Sequence, residues 1–202
     1  MNERELDQLE EALGYPLDEA VKASRRQVTR WFAQTAPLVH WDVLPSPLGL
    51  LYVAASERGL LSVDFGVNQT DFLAQLDPLA RTERNQEALA LITGQLRRYF
   101  DDPRVRLDTP LDLDRLTPFQ RSVLQTAQRI PVGNVWTYGQ LARAIDKPRA
   151  SRAVGQALGR NPVPIVVPCH RVIASDGGLG GYSGGGGVES KKLLLRLEGA
   201  IQ

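Results

Sequence analysis

The chain of 202 residues has one cysteine, one methionine, two histidines and only 6% aromatic residues. A lone cysteine excludes an intramolecular disulfide and is the usage of a reducing compartment. One cysteine and two histidines are too few for a Cys/His zinc cage, so no metal and no cofactor is expected. No window supplies the roughly 20 apolar residues of a membrane span. The opening MNERELDQLEEAL is charged throughout and lacks the apolar heart of a secretion signal. These absences predict a soluble, cytoplasmic protein that makes no use of a membrane. At 43% hydrophobic residues it can build a core without staples, in one or two domains.

A net charge of +1 conceals an asymmetry. Residues 1–116 carry 13 Lys and Arg against 19 Asp and Glu, whereas residues 117–202 carry 11 against 4. Between 117 and 175 the single acid, Asp146, stands among eight basic residues. Such a half either meets a polyanion or is a solvated basic face.

Apolar periodicity divides the chain. Residues 1–36 predict two helices, one with Leu6, Leu9 and Leu13 on a face, the next with Leu17, Val21, Val28 and Phe32, broken at Gly14-Tyr15-Pro16. From His40 to Phe65 short β-prone runs alternate with turns at Ser46-Pro47-Leu48-Gly49 and Glu57-Arg58-Gly59. Asn85 to Phe100 reads as a helix with Leu89, Ile92, Leu96 and Phe100 inward, and 103–116 as a linker. Thr117-Pro118-Phe119-Gln120 and Thr137-Tyr138-Gly139-Gln140 are capping-box starts of two helices. A tight turn, 146–149, then leads into a third helix at about Ala150 to Leu158, which is helix-turn-helix spacing. Val154 and Leu158 form its buried stripe, so Arg152 faces outward among Ser151, Gly155, Gln156 and Gly159. Glycines inside a helix cost about 1 kcal/mol each against alanine, which close approach of another backbone would offset, and DNA fits the local charge.

The run from Pro162 to Val167 predicts a buried strand that delivers Cys169 to a proline-marked end. A lone cysteine is often just a small buried hydrophobe. Here it adjoins His170 and lies near Arg171, Arg160 and Arg152 in sequence, cations that would favour the thiolate. Neighbours on an extended strand face opposite ways, so either the chain turns at Pro168-Cys169 or His170 acts through a bridging water. Glu198, in the last turn of a final helix from about Val188, opposes the helix dipole and is a candidate third member of a relay. Residues 177–187 hold eight glycines in eleven positions around Leu179, Tyr182 and Ser183, either a flexible linker or a loop that moulds around a flat ligand.

These residues resemble a known family. Asn161-Pro162-Val163-Pro164, Pro168-Cys169-His170-Arg171-Val172, Thr137 to Ala142, Ser151 to Gly155, Gly181 to Gly185 and Leu197-Glu198-Gly199 together resemble the active-site domain of the O6-alkylguanine-DNA alkyltransferases. The resemblance implies an α+β fold: a helical extension at 1–36, a ribonuclease H-like α/β domain at 37–114, and a helical domain with the helix-turn-helix at 115–202. It implies direct, single-turnover transfer of the alkyl group of O6-alkylguanine, and in some settings O4-alkylthymine, to Cys169. His170 would be a water-mediated base oriented by Glu198, and Asn161 would brace the cysteine turn. Tyr138 would give a proton to the flipped base and crowd the phosphate. Arg152 would fill the gap left by the extruded nucleotide, with Ser151, Gly155 and Gln156 beside it in the minor groove of double-stranded DNA. Tyr182, Ser183 and the backbone of Val172 would hold the base. A monomer is implied, nucleoid-associated if bacterial.

The run Gly184 to Gly187 is two residues longer than the family pattern, and residues 1–36 have no counterpart in it. Three rival readings remain: a lesion sensor, which would lack the acceptor cysteine; a helix-turn-helix regulator; and a thiol hydrolase, which would leave the basic helix pair unused.

Overall fold

The computed structural model describes residue 12 and residues 19–202. The first expected helix, around Leu6, Leu9 and Leu13, lies outside the described residues. The chain divides into two compact units, Met1–Pro37 with Leu79–Arg81, and Leu38–Pro78 with Thr82–Gln202. The small unit contains α1 (Glu19–Thr35). Val21 and Val28, expected on an inward face, are instead 40% and 64% exposed. Periodicity reports that a segment can be helical, not that another element covers it.

The large unit opens with an antiparallel meander of β1 (Leu38–Ser46), β2 (Gly49–Ser56) and β3 (Gly59–Phe65). Its first turn is held by the Ser46 hydroxyl, which accepts from Leu48 N at 3.1 Å, and by Gly49 at φ +92°. Leu44 faces Leu51 across one pair of strands and Val53 faces Val63 across the next. Two short elements escaped the sequence reading: α2 (Gln69–Gln75), capped by Asn68, and β4 (Arg81–Arg84), whose four side chains are all exposed. The sheet order is β3-β2-β1-β4. Helix α3 (Ala90–Asp101) starts later than expected because Asn85 caps a preceding turn through Ala88 N at 3.0 Å.

The second half is helical, as expected. Both capping boxes form, at the start of α4 (Pro118–Ala127) and of α5 (Tyr138–Ala144). Helix α6 (Ser151–Leu158) follows a turn in which Asp146 takes φ +57°. Two strands of two residues each, β5 (Trp136–Thr137) and β6 (Val172–Ile173), pair in parallel, and α7 (Gly187–Leu197) closes the chain. One continuous core joins the halves, running from Leu44, Val53 and Leu96 to Val123, Leu141, Val154 and Leu194. The exposed edge of β3 is used for pairing: Leu60 N donates to Pro110 O and Val63 N to Pro162 O, both at 2.8 Å. That second bond anchors the segment beginning at Asn161 to the sheet.

Two leucines on consecutive helices test this core. Leu124 on α4 is fully buried and Leu91 on α3 is 65% exposed. Leu124→Ala is expected to lose about 2–5 kcal/mol in urea unfolding, and Leu91→Ala no more than about 0.5 kcal/mol. Equal losses would contradict the assignment of faces.

Candidate active site

Residues 163–167 are buried and Pro162 is half-buried, but they do not form the expected strand. Val167 N reaches back to Val163 O at 2.9 Å and Ile165 sits at φ +74°. Pro162, Pro164 and Pro168 remove the amide donors that a central ladder would need, so the chain folds into consecutive turns. It then enters a 3-10 turn, Cys169–Arg171. The alternation of an extended strand is therefore absent at Cys169 and His170. Asn161 fastens the whole loop: its side-chain amide donates to Val167 O at 2.9 Å and to Cys169 Sγ at 3.2 Å, while its oxygen accepts from Val163 N at 3.1 Å.

His170 is fully buried, and its Nε2 lies 2.9 Å from Glu198 Oε1. Nδ1 of the same ring has no hydrogen-bond partner. Glu198, at the C-cap of α7, is buried rather than a harmless surface acid. Arg171 grips it with both arms of the guanidinium, Nε to Oε2 and Nη2 to Oε1, each at 2.8 Å. Burial pushes the Glu198 carboxyl up, but hydrogen bonds from His170 and Arg171 outweigh it and hold the group at about 2.

The thiol is not depressed in the way its sequence neighbours suggested. Burial raises the Cys169 thiol, and the Asn161 hydrogen bond and the charge of Lys191 offset only part of this. The cause is plain in space: Arg171 is committed to Glu198, and Arg152 and Arg160 are exposed. Burial likewise lowers His170, against the pull of Glu198. At rest the pair is a neutral thiol and a neutral imidazole.

Above Cys169 opens a cavity of about 1020 Å³. Tyr138, Ser151, Arg152, Gly155, Gln156, Tyr182 and Ser183 all line it, so the helix-turn-helix face and the glycine loop share one opening. A Cβ at Gly180 would lie 3.0 Å from the Tyr138 hydroxyl, whereas one at Gly155 would rest at an ordinary 3.6 Å from its ring. Gly155 thus has room for a methyl group, and no close backbone in the chain explains it. Val172 is buried, and its carbonyl is already taken by Lys191 Nζ at 2.6 Å. The glycine loop is anchored rather than loose: a Cβ at Gly185 would fall 1.8 Å from Phe65 O, and the Tyr182 ring sits 6.5 Å from that of Phe65.

Three residues of the site were not recognised from sequence. Sequence proximity presents Arg171 only as a charge near Cys169. Lys191 is fully buried, bonded also to Leu179 O, and lowered by burial to about 8. A lysine three before Leu194 and seven before Glu198, on the inward stripe of α7, was the available signal. Tyr99, on α3, donates to Glu198 Oε1 at 2.6 Å. The helical spacing places Phe100 on the inward face, but Phe100 is only half-buried and Tyr99 is the residue that is buried.

Comparison with known proteins gives consistent matches in both halves. Residues 118–200 match the DNA-binding domain of 6-O-methylguanine DNA methyltransferase and residues 39–113 its ribonuclease-like domain. A methylated-DNA–protein-cysteine methyltransferase of Methanosarcina barkeri is 39% identical over 160 residues, 79% of this chain and 97% of that protein. Its counterpart in Mycolicibacterium paratuberculosis is 42% identical over 163 residues, 80% of this chain and 93% of that one. Among solved structures, Mycobacterium tuberculosis OGT in complex with DNA superposes with a TM-score of 0.66 at 37% identity, over 80% of this chain and 93% of that chain.

Two measurements probe the electrostatics. Alkylation of Cys169 by iodoacetamide is expected to rise with pH to a midpoint above that of a free thiol, and Asn161→Ala should move it higher still. An unshifted midpoint in the variant would remove Asn161 as a thiolate donor. For Glu198 the folded value, about 2, lies below the ordinary 4.5. Its contribution to stability is therefore complete above pH 4.5 and is lost as pH falls towards 2. Urea midpoints should accordingly drop more steeply across that window in the wild type than in Glu198→Gln, and parallel curves would contradict the assignment.

Proposed function

The chain belongs to the 6-O-methylguanine DNA methyltransferase family, and we propose that Cys169 is the alkyl-accepting residue of a single-turnover DNA repair reaction. The observation that carries this reading is the buried Asn161–Cys169 and His170–Glu198 pairing at the floor of an open cavity flanked by the Arg152 helix. The alkylated carbon of O6-alkylguanine is inaccessible inside a duplex, so the nucleotide must be extruded into that cavity. Arg152, on the exposed face of α6, enters the vacated space from the minor groove of double-stranded DNA, with Ser151, Gly155 and Gln156 beside it.

Tyr182 and Ser183, which line the cavity, hold the base, and the Val172 carbonyl, which already accepts from Lys191 Nζ, offers its second lone pair to the guanine edge. His170 takes the thiol proton through Nδ1 by way of a water, while Nε2 stays bound to Glu198. Sulfur attacks the alkyl carbon, a C–S bond forms as the C–O6 bond breaks, and the electron pair stays with the oxygen. Tyr138 supplies a proton to the base as that charge develops, and guanine is restored. The thioether has no ready hydrolytic exit, so each molecule repairs one lesion. No metal or cofactor enters the scheme. The protein works as a monomer in the cytoplasm, nucleoid-associated if bacterial. By this reading the chain comprises an extension at 1–36, a ribonuclease-like part at 37–114 and the alkyltransferase part at 115–202.

After incubation with a duplex containing O6-methylguanine, intact mass should rise by one methyl group, mapped to Cys169. No mass change, or label retained in Cys169→Ala, would overturn the proposal and favour a regulator or a sensor. Arg152→Ala is expected to slow repair of duplex DNA far more than reaction with free O6-benzylguanine. Equal slowing on both substrates would remove the residue from nucleotide extrusion.

A further inference from the structure

Tyr99 takes no part in the reaction just described, yet it touches the relay. It lies on α3, in the ribonuclease-like half, and is 1% exposed. Its hydroxyl donates to Glu198 Oε1 at 2.6 Å, and the same oxygen accepts from His170 Nε2 at 2.9 Å and from Arg171 Nη2 at 2.8 Å. Oε2 accepts from Arg171 Nε. A carboxylate oxygen offers about two lone-pair directions, so three donors on Oε1 compete for one charge. A shorter, better-aligned donor takes the larger share.

We infer that Tyr99 is a positioning residue for the transfer: by sharing Oε1 with His170 it limits the pull of Glu198 on the imidazole, keeping His170 a neutral base with Nδ1 open to a proton. This rests on the reading that His170 serves Cys169. The charged and titratable groups around the imidazole are Glu198 and Lys191 from the last helix and Arg171 and Cys169 from its own turn. Those around the Tyr99 hydroxyl are Glu198 and Arg171, and the Tyr182 phenol faces both Tyr99 and Cys169. Of these, only Tyr99 can be deleted at Oε1 by removing one oxygen while leaving its ring in the core. Without it the carboxylate is less neutralised and stabilises the imidazolium more strongly. More of His170 then carries a proton near neutral pH and cannot take one from the thiol.

Tyr99→Phe in the full chain tests this by nitrogen NMR of the imidazoles. The chain's second histidine, His40, serves as an internal reference. His170 is expected to titrate roughly half to one pH unit higher, with His40 unchanged. The acid limb of methyl transfer should move up in parallel. In a Glu198→Gln background, Tyr99→Phe should add no further shift. An unchanged His170 titration, or the same shift in both backgrounds, overturns the inference, as does a variant whose only change is a lower Tm. The NMR measurement needs no alkyl transfer, so the two readings fail separately. A wild type that never alkylates Cys169 sinks the proposed function. Alkylation with an unmoved His170 sinks the coupling alone.

Discussion

Four hydrogen bonds converge on the carboxylate of Glu198, and they come from two separate parts of the chain: the 3-10 turn that carries Cys169, and α3 in the first half. An ionised carboxylate out of water is tolerated only when its lone pairs are met, and its place at a helix C-terminus adds a further penalty. Arg171 answers both through its bidentate grip, and its remaining arm is spent on Ile130 O. The result is a cross-brace: the reactive turn, the last helix and the first half cannot shift relative to one another without exposing a buried charge to an incomplete set of partners.

The chemistry of the site follows from the same burial. Desolvation disfavours charge on the thiol and on the imidazole alike, so both rest neutral inside a charged frame. Asn161 and Lys191 then offer the thiolate a donor and a nearby positive charge without forcing it to form. A cysteine kept protonated and only 5% exposed is poorly reactive towards casual oxidants, which attack the thiolate. That protection suits the proposed reaction, in which the chain's single thiol is consumed once.

What was legible in the sequence is what is local. The capping boxes at Thr117 and Thr137 depend on residues three apart, and both form as read. The outward set of Arg152 follows from the helical period alone. Reading by proximity along the chain failed where folding reassigns neighbours. Arg171 stands two places from Cys169 yet turns to Glu198, while the cation that acts on the thiol is Lys191, brought in by α7. The apolar run before the cysteine looked like a strand because its residues are β-branched, but its prolines carry the stronger constraint. Tyr99 and Glu198 are 99 positions apart, and no motif could join them.

The glycine loop has a bearing on how such a chain can change. Gly185 lies so close to Phe65 O, and Gly66 so close to Gly185 Cα at 2.9 Å from any added Cβ, that neither position tolerates a side chain while the other backbone stays put. The loop that frames the cavity is thus cut to the contour of one strand end. The two halves are not interchangeable parts. A graft that paired this second half with another first half would have to carry Phe65 and Gly66 with it, and lineages altering one side of that seam would be held to compensating on the other.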